Sequence, residues 1–158
     1  TARPTNQEEL RECYDLYLTV FRKSYRINVF QLPFEFFEAM AQHADFEVIR
    51  LYLNDPTSPS HGKLVSVMFS HVGKKMYSAM IVGLDYDVLH SHGIYKQVLY
   101  RTVIQARKRG CKKLDLAYTA EAVKKKVGAR PVAATAYMQI VDHFNQAVIA
   151  SMDAAAAK

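Results

Sequence analysis

The chain has 158 residues and a mass of 18.0 kDa, enough for one domain and short for two. Half of the residues are hydrophobic and 23% are charged, which excludes wholesale disorder. The longest run free of charged and histidine side chains is Pro131 to Val141, far below the ~20 apolar residues of a membrane helix. Thr1 to Glu12 is polar and does not read as a signal peptide. Cys13 and Cys111 are too few for a disulfide framework, which points to a reducing, cytoplasmic interior.

The formal net charge of +6 is unevenly spread. Lys96 to Arg130 holds eleven Lys and Arg against Asp115 and Glu121 alone, so the rest of the chain is net acidic. Such a patch favours an anionic partner: a phosphorylated cofactor, a nucleic acid or an acidic surface. Its bland counterpart is a set of solvated helix faces.

Thr1 stands where an initiator methionine would, and residues 1–6 read as linker. The expectation is one domain over 1–158, excised from a larger protein, with residues 153–158 as a frayed end. Asn6 to Lys23 has Leu10, Cys13, Tyr14, Tyr17 and Phe21 at helical spacing, with Asn6 or Thr5 as the cap. Pro33 to His43 reads as a second helix with Phe34, Phe37, Met40 and Ala41 inward. Three strands follow, Phe46–Leu53, Lys63–Ser70 and Met76–Leu84. Their connections are too short for a crossover, so they form an antiparallel meander.

From Gly93 the period becomes helical. Ile94, Tyr95, Val98, Leu99, Val103 and Ala106 share one face, and Gly110 ends the helix. Lys113–Tyr118 reads as a strand, Ala120–Val127 as a helix stopped by Gly128, Val132–Val141 as a strand and Asp142–Met152 as a helix. The order ααβββαβαβα is mixed α/β, or α+β. The helix between the third and fourth strands implies that they pair in parallel.

The segment from Met80 to Arg109 is the most informative. An apolar strand runs into a loop with His90, His92 and Gly93, and a helix follows. Free N–H groups and the positive dipole end at a helix start suit a phosphate. His90 and His92, near His71, lack partners at ligand spacing apart from Asp85 and Asp87, so no metal is expected. Cys111 reads as a small residue at a strand entrance and Cys13 as core. The ten tyrosines and eight phenylalanines fall mostly at inward positions. Base stacking helped by Lys124-Lys-Lys126 therefore makes nucleic acid the second choice of partner.

This order of elements and several of its residues resemble the GNAT acyltransferase superfamily, from about Gln7 to Val141. The family carries a mixed sheet with helices on both faces, and two of its strands splay to receive the pantetheine of acyl-CoA. The resemblance places those strands at Met80–Leu84 and Lys113–Tyr118. The family's pyrophosphate loop, Gln/Arg-x-x-Gly-x-Gly/Ala, is matched by His90-Ser-His-Gly93-Ile-Tyr95, with Tyr95 where a small residue is usual. It implies cofactor contacts from Ile81, Val82, Gly83, Leu84, His90, His92, Gly93, Ile94 and Tyr95.

In Thr119 to Ala129, Lys124 stands four positions before Gly128, where the family's tyrosine acid is familiar. This is more similar to the divergent FemAB-like branch, whose domains occur in tandem or appended to larger bacterial-type enzymes. The implied reaction moves an acyl group from acetyl-CoA, another acyl-CoA or a carrier-bound donor to an amine, with no metal and no membrane. Tyr118 and Lys124 are the implied proton donors, Asp115 and Asp85 the candidate bases, and amides near Val82 and Gly83 the oxyanion donors. The alternative is a catalytically silent module of the same fold that binds protein or nucleic acid.

Overall fold

A computed structural model describes residues 4–23 and 31–135. Helix α1, Gln7–Lys23, starts where Asn6 Oδ1 accepts the Glu9 amide at 2.9 Å, so Asn6 is the cap. The Glu9 carboxylate reaches back to accept the Thr5 amide and ion-pairs with Arg50 at 3.0 Å. Acidic Glu8 and Glu9 in the first turn and basic Arg22 and Lys23 in the last match the helix dipole. Helix α2 is Phe34–Gln42, with Phe37 and Met40 buried.

Strands β1, Phe46–Tyr52, β2, Leu64–Val72, and β3, Met76–Leu84, form the expected antiparallel meander. Helix α3, Ile94–Lys108, then returns the chain to β4, Lys113–Asp115, which pairs with β3 in parallel. The sheet order is β1-β2-β3-β4. Helix α4 spans Glu121–Lys126.

Both faces of the sheet are covered. On one, Leu10, Cys13, Tyr14 and Tyr17 of α1 and Phe37 and Met40 of α2 pack on Val48, Val67 and Phe69. Phe37 is the hub of this layer, with ring centroids 5.0 Å from Tyr14, 4.8 Å from Tyr17 and 5.0 Å from Phe69. On the other, Ile94, Val98 and Leu99 of α3 pack on Ile49, Met68 and Ala79. Because both faces are covered, neighbouring residues of β1 that point to opposite sides, Val48 and Ile49, are both core.

Glu47 of β1 is buried, and its carboxylate gathers three donors from two other elements. Tyr77 Oη of β3 donates at 3.1 Å, Gln105 Nε2 of α3 at 3.0 Å, and Arg109 at the end of α3 adds an ion pair. The network satisfies a carboxylate that an apolar site would otherwise penalise.

The expected strand Lys113–Tyr118 is a correction: it stops at Asp115. Asp115 Oδ1 accepts the Ala117 amide at 2.8 Å, and Ala117, Thr119 and Ala120 all have positive φ. That backbone cannot continue a ladder. Residues 132–135 carry no regular structure, and the rest of the expected strand Val132–Val141 and the helix Asp142–Met152 lie outside the described residues. Among the described residues, no helix is long and apolar enough to cross a membrane.

Candidate active site

The parallel ladder between β3 and β4 ends at Ser78 and Asp115. Two residues later β3 carries a bulge: Phe69 pairs with Ile81 and Ser70 with Ala79, so Met80 has no partner on β2. A bulge bends its strand and re-aims its side chains. Below that point β3 and the segment 116–119 part, and a cleft of about 380 Å³ opens between them. Met80, Ile81 and Val82 form one wall, and Leu116 to Thr119 with Lys124 form the other. Helix α1 contributes Tyr17, Val20 and Phe21, and α3 contributes Tyr95 and Leu99.

The second wall is held by a buried lysine. Lys124 is 7% exposed, and its Nζ donates to the Ala117 carbonyl at 3.1 Å and to the Tyr118 carbonyl. Burial draws its pKa below the usual lysine range, and the Asp115 carboxylate partly opposes that shift. Lys124 thus fixes the carbonyls of a left-handed stretch that no strand partner could satisfy. Tyr118, in contrast, is 76% exposed at the cleft mouth.

Of the nine residues expected to contact a cofactor, Ile81, Val82 and Tyr95 line this cleft. Gly83 does not: it is buried against α1, and its carbonyl accepts a hydrogen bond from Ser66 Oγ at 3.0 Å. Leu84 and Ile94 are core residues of the α3 layer. Gly93 caps α3 in the left-handed conformation, at φ 58°, with open space where a Cβ would point. His90 is exposed.

His92 is committed to its own loop, with Nε2 3.0 Å from Asp55 Oδ2 and Nδ1 2.8 Å from Ser91 Oγ. The His92 and Ile94 amides donate to the Val88 and Leu89 carbonyls, so the loop before α3 is largely self-satisfied. Among the described residues, no group of three His, Cys, Asp or Glu could hold a metal ion.

The four expected catalytic side chains divide in the same way. Tyr118 and Lys124 meet at the cleft, while Asp115 is an exposed turn-former that does not line it, and neither does Asp85, whose Oδ1 accepts the Asp87 amide. The sequence reading missed the α1 lining, Tyr17, Val20 and Phe21. Its only trace there was the apolar face of α1, which reads as plain core.

Part of the basic stretch is engaged within the protein. Arg109 pairs with the buried Glu47, the exposed Lys125 pairs with Glu121, and Lys124 is buried.

No curated protein sequence matches this chain. Solved structures of low identity share its fold. An acetyltransferase from Trypanosoma brucei is 15% identical, with a TM-score of 0.61 over 85% of this chain and 95% of its own. The ribosomal-protein-S18-alanine N-acetyltransferase from Escherichia coli is 18% identical, with a TM-score of 0.57 over 78% of this chain and 72% of its own. An aminoglycoside N-acetyltransferase in complex with CoA is 10% identical, with a TM-score of 0.58 over 86% of this chain and 91% of its own. The acetyltransferase (GNAT) domain family matches residues 1–125. With that match over most of its length, on a mixed sheet whose parallel pair parts at a cleft, the chain belongs to the GNAT acetyltransferase family.

Proposed function

We propose that this protein is an N-acyltransferase that binds acyl-CoA in the cleft between β3 and residues 116–119 and passes the acyl group to an amine. The observation that carries this reading is the coincidence of three features at one place. The parallel ladder ends at Ser78 and Asp115, β3 bulges at Met80, and an apolar cleft opens immediately beyond. A slender, mostly apolar pantetheine arm suits such a gap. Gly83 and Leu84 being enclosed, Ile81, Val82 and Tyr95 are the residues of this chain that would flank it.

Each side chain then has a defined task. The neutral amine nitrogen attacks the thioester carbonyl, the C–N bond forms, the C–S bond breaks, the proton shed by the amine passes to solvent at the open cleft mouth, and the thiolate leaves with a proton. Tyr118, at the cleft mouth, is the residue we assign to donate that proton. The backbone amides of β3 from Met80 onward, beyond the ladder with β4, are assigned to the developing oxyanion. Lys124 acts as a positioning residue, since its ammonium is engaged by the Ala117 and Tyr118 carbonyls that set where Tyr118 sits. Asp115 holds the same turn from the other side and is not assigned as the base. Lys124 four residues before Gly128 also supports placing the chain in the FemAB-like branch.

The test is direct. CoA and acetyl-CoA should raise the unfolding temperature, with about 2.7 kcal/mol of stabilisation at a hundredfold excess over the dissociation constant. Tyr118→Phe should lower kcat by about 10²- to 10⁴-fold while leaving that stabilisation in place. Absence of any shift with CoA, acetyl-CoA and longer acyl-CoA overturns the reading.

A further inference from the structure

The inner part of the cleft is more apolar than an acetyl group requires. The whole cleft, about 380 Å³, lies in the range that encloses small-molecule ligands, roughly 300 to 1,000 Å³, and it holds the acyl group together with the end of the pantetheine arm. Its inner lining is hydrocarbon: Val20 and Phe21 of α1, Leu32, Met68 of β2 and Leu99 of α3. Tyr17 adds its ring, and its hydroxyl already accepts the Leu32 amide at 2.9 Å. Among the described lining residues Lys124 alone is charged, its ammonium is engaged by two carbonyls, and no carboxylate faces the space.

That chemistry discriminates between occupants. A protonated or polyhydroxylated amine drawn into this space would lose its water without gaining a counter-charge. An aliphatic chain would gain on every methylene moved from water to this lining.

We propose that the α1 side of the cleft receives the aliphatic chain of the acyl group, so that the donor is a thioester of an acyl chain several methylenes longer than acetyl. The inference rests on the acyl-transfer reading above. The bond changes are those already given, with no oxidant or reductant involved. The added chain sits between α1 and α3 and alters only which thioester binds.

The experiment is a calorimetric series on the intact protein with CoA, acetyl-CoA, butyryl-CoA, hexanoyl-CoA and octanoyl-CoA, followed by transfer assays with each. Affinity should rise by roughly fourfold for each methylene buried, and kcat/KM should follow. An affinity that is flat or falls from acetyl to octanoyl, with CoA itself bound, overturns the long-chain inference and leaves the acyl-transfer reading standing. Failure of every CoA species to bind overturns both.

A second arm places the chain. Val20→Phe narrows the α1 side and should lower the octanoyl-to-acetyl ratio of kcat/KM by at least about tenfold, the worth of a few lost methylenes. Leu99→Phe, from the α3 side, provides the same readout should Val20→Phe not fold. An unchanged ratio in a folded variant shows that the chain lies elsewhere and overturns the proposal.

Discussion

Gly83 of β3 faces Tyr17 of α1 with no room between them for a side chain. A Cβ on Gly83 would lie 2.7 Å from the Tyr17 amide nitrogen, and equally close to the Leu16 carbonyl carbon and a Val67 methyl. This contact brings α1 down onto the strand that walls the cleft, and Thr19 Oγ1 adds a hydrogen bond to the Leu84 carbonyl at 2.5 Å. Gly83→Ala should therefore cost about 1–3 kcal/mol through overpacking against backbone that cannot rotate away. Gly93→Ala meets nothing within 4 Å but must hold φ at 58°, which costs about 1–2 kcal/mol. Urea unfolding measures both. Helix displacement should also depress acyl-CoA affinity in the Gly83 variant, and a Gly83→Ala protein as stable as wild type would refute the close contact.

Arg109→Ala tests the buried Glu47 network. The Glu47 side chain is 9% exposed and that of Arg109 53%, so the variant leaves a buried carboxylate with only the neutral donors Tyr77 and Gln105. A loss of about 2–3 kcal/mol at neutral pH is expected, discounted from the fully buried case for the exposure of Arg109. Glu47→Gln should cost less, about 1 kcal/mol, because its amide oxygen still accepts. Denaturant midpoints of the two variants at neutral pH separate these cases.

Asp55 and His92 tie the β1–β2 loop to the loop that opens α3. The His92 hydrogen bond, with help from Thr57, lowers the Asp55 carboxyl to about 2. A depressed carboxylate contributes stability above its unfolded value of ~3.9 and loses it as pH falls through the folded value. His92→Ala should raise the Asp55 titration toward the ordinary range, as followed by carboxyl NMR. The acid limb of the stability curve should lose the matching contribution between about pH 4 and 2. An unshifted Asp55 titration in His92→Ala would show that the two side chains do not interact in solution.

Lys124→Met removes the donor that satisfies the Ala117 and Tyr118 carbonyls. We expect a stability loss of about 1–3 kcal/mol and weaker acyl-CoA binding, because one cleft wall loses its support. Tyr118→Phe should instead leave the melting temperature unchanged, since the ring is solvent-exposed. A Lys124→Met protein with wild-type stability would remove the positioning role.

The two cysteines should differ in reactivity. Cys13 is fully buried in the α1 layer, and burial pushes its thiol up to about 12. Cys111 is partly exposed beside Gly73. A thiol reagent at pH 8 should modify Cys111 in the native protein and reach Cys13 only after denaturation. Rapid native modification of both would mean that α1 does not stay seated on the sheet.

The sequence by itself determined the local elements. Met76–Leu84 stands as expected, α1 and α3 follow their apolar spacing, and Asn6 caps α1 as its residue type suggests. These features depend on periods of two and 3.6 residues and on caps, all short-range physics. The end of β4 was not legible, because Ala117, Thr119 and Ala120 adopt left-handed backbone without a glycine to signal it. Nor was the burial of Lys124: three consecutive lysines look equally exposed in sequence, and only the approach of α4 to the 117–118 carbonyls buries the first of them.

The uneven charge pointed to an anionic partner for the stretch as a whole. Tertiary packing takes Arg109 out of that set by pairing it with Glu47, 62 residues away, whereas Lys125 pairs with Glu121 inside its own helix, as their spacing of four already allows. The cleft itself follows the same division. Two strands fixed by local pattern part at one point because a bulge, a turn and a buried ammonium meet there, and residues distant in sequence meet only in three dimensions.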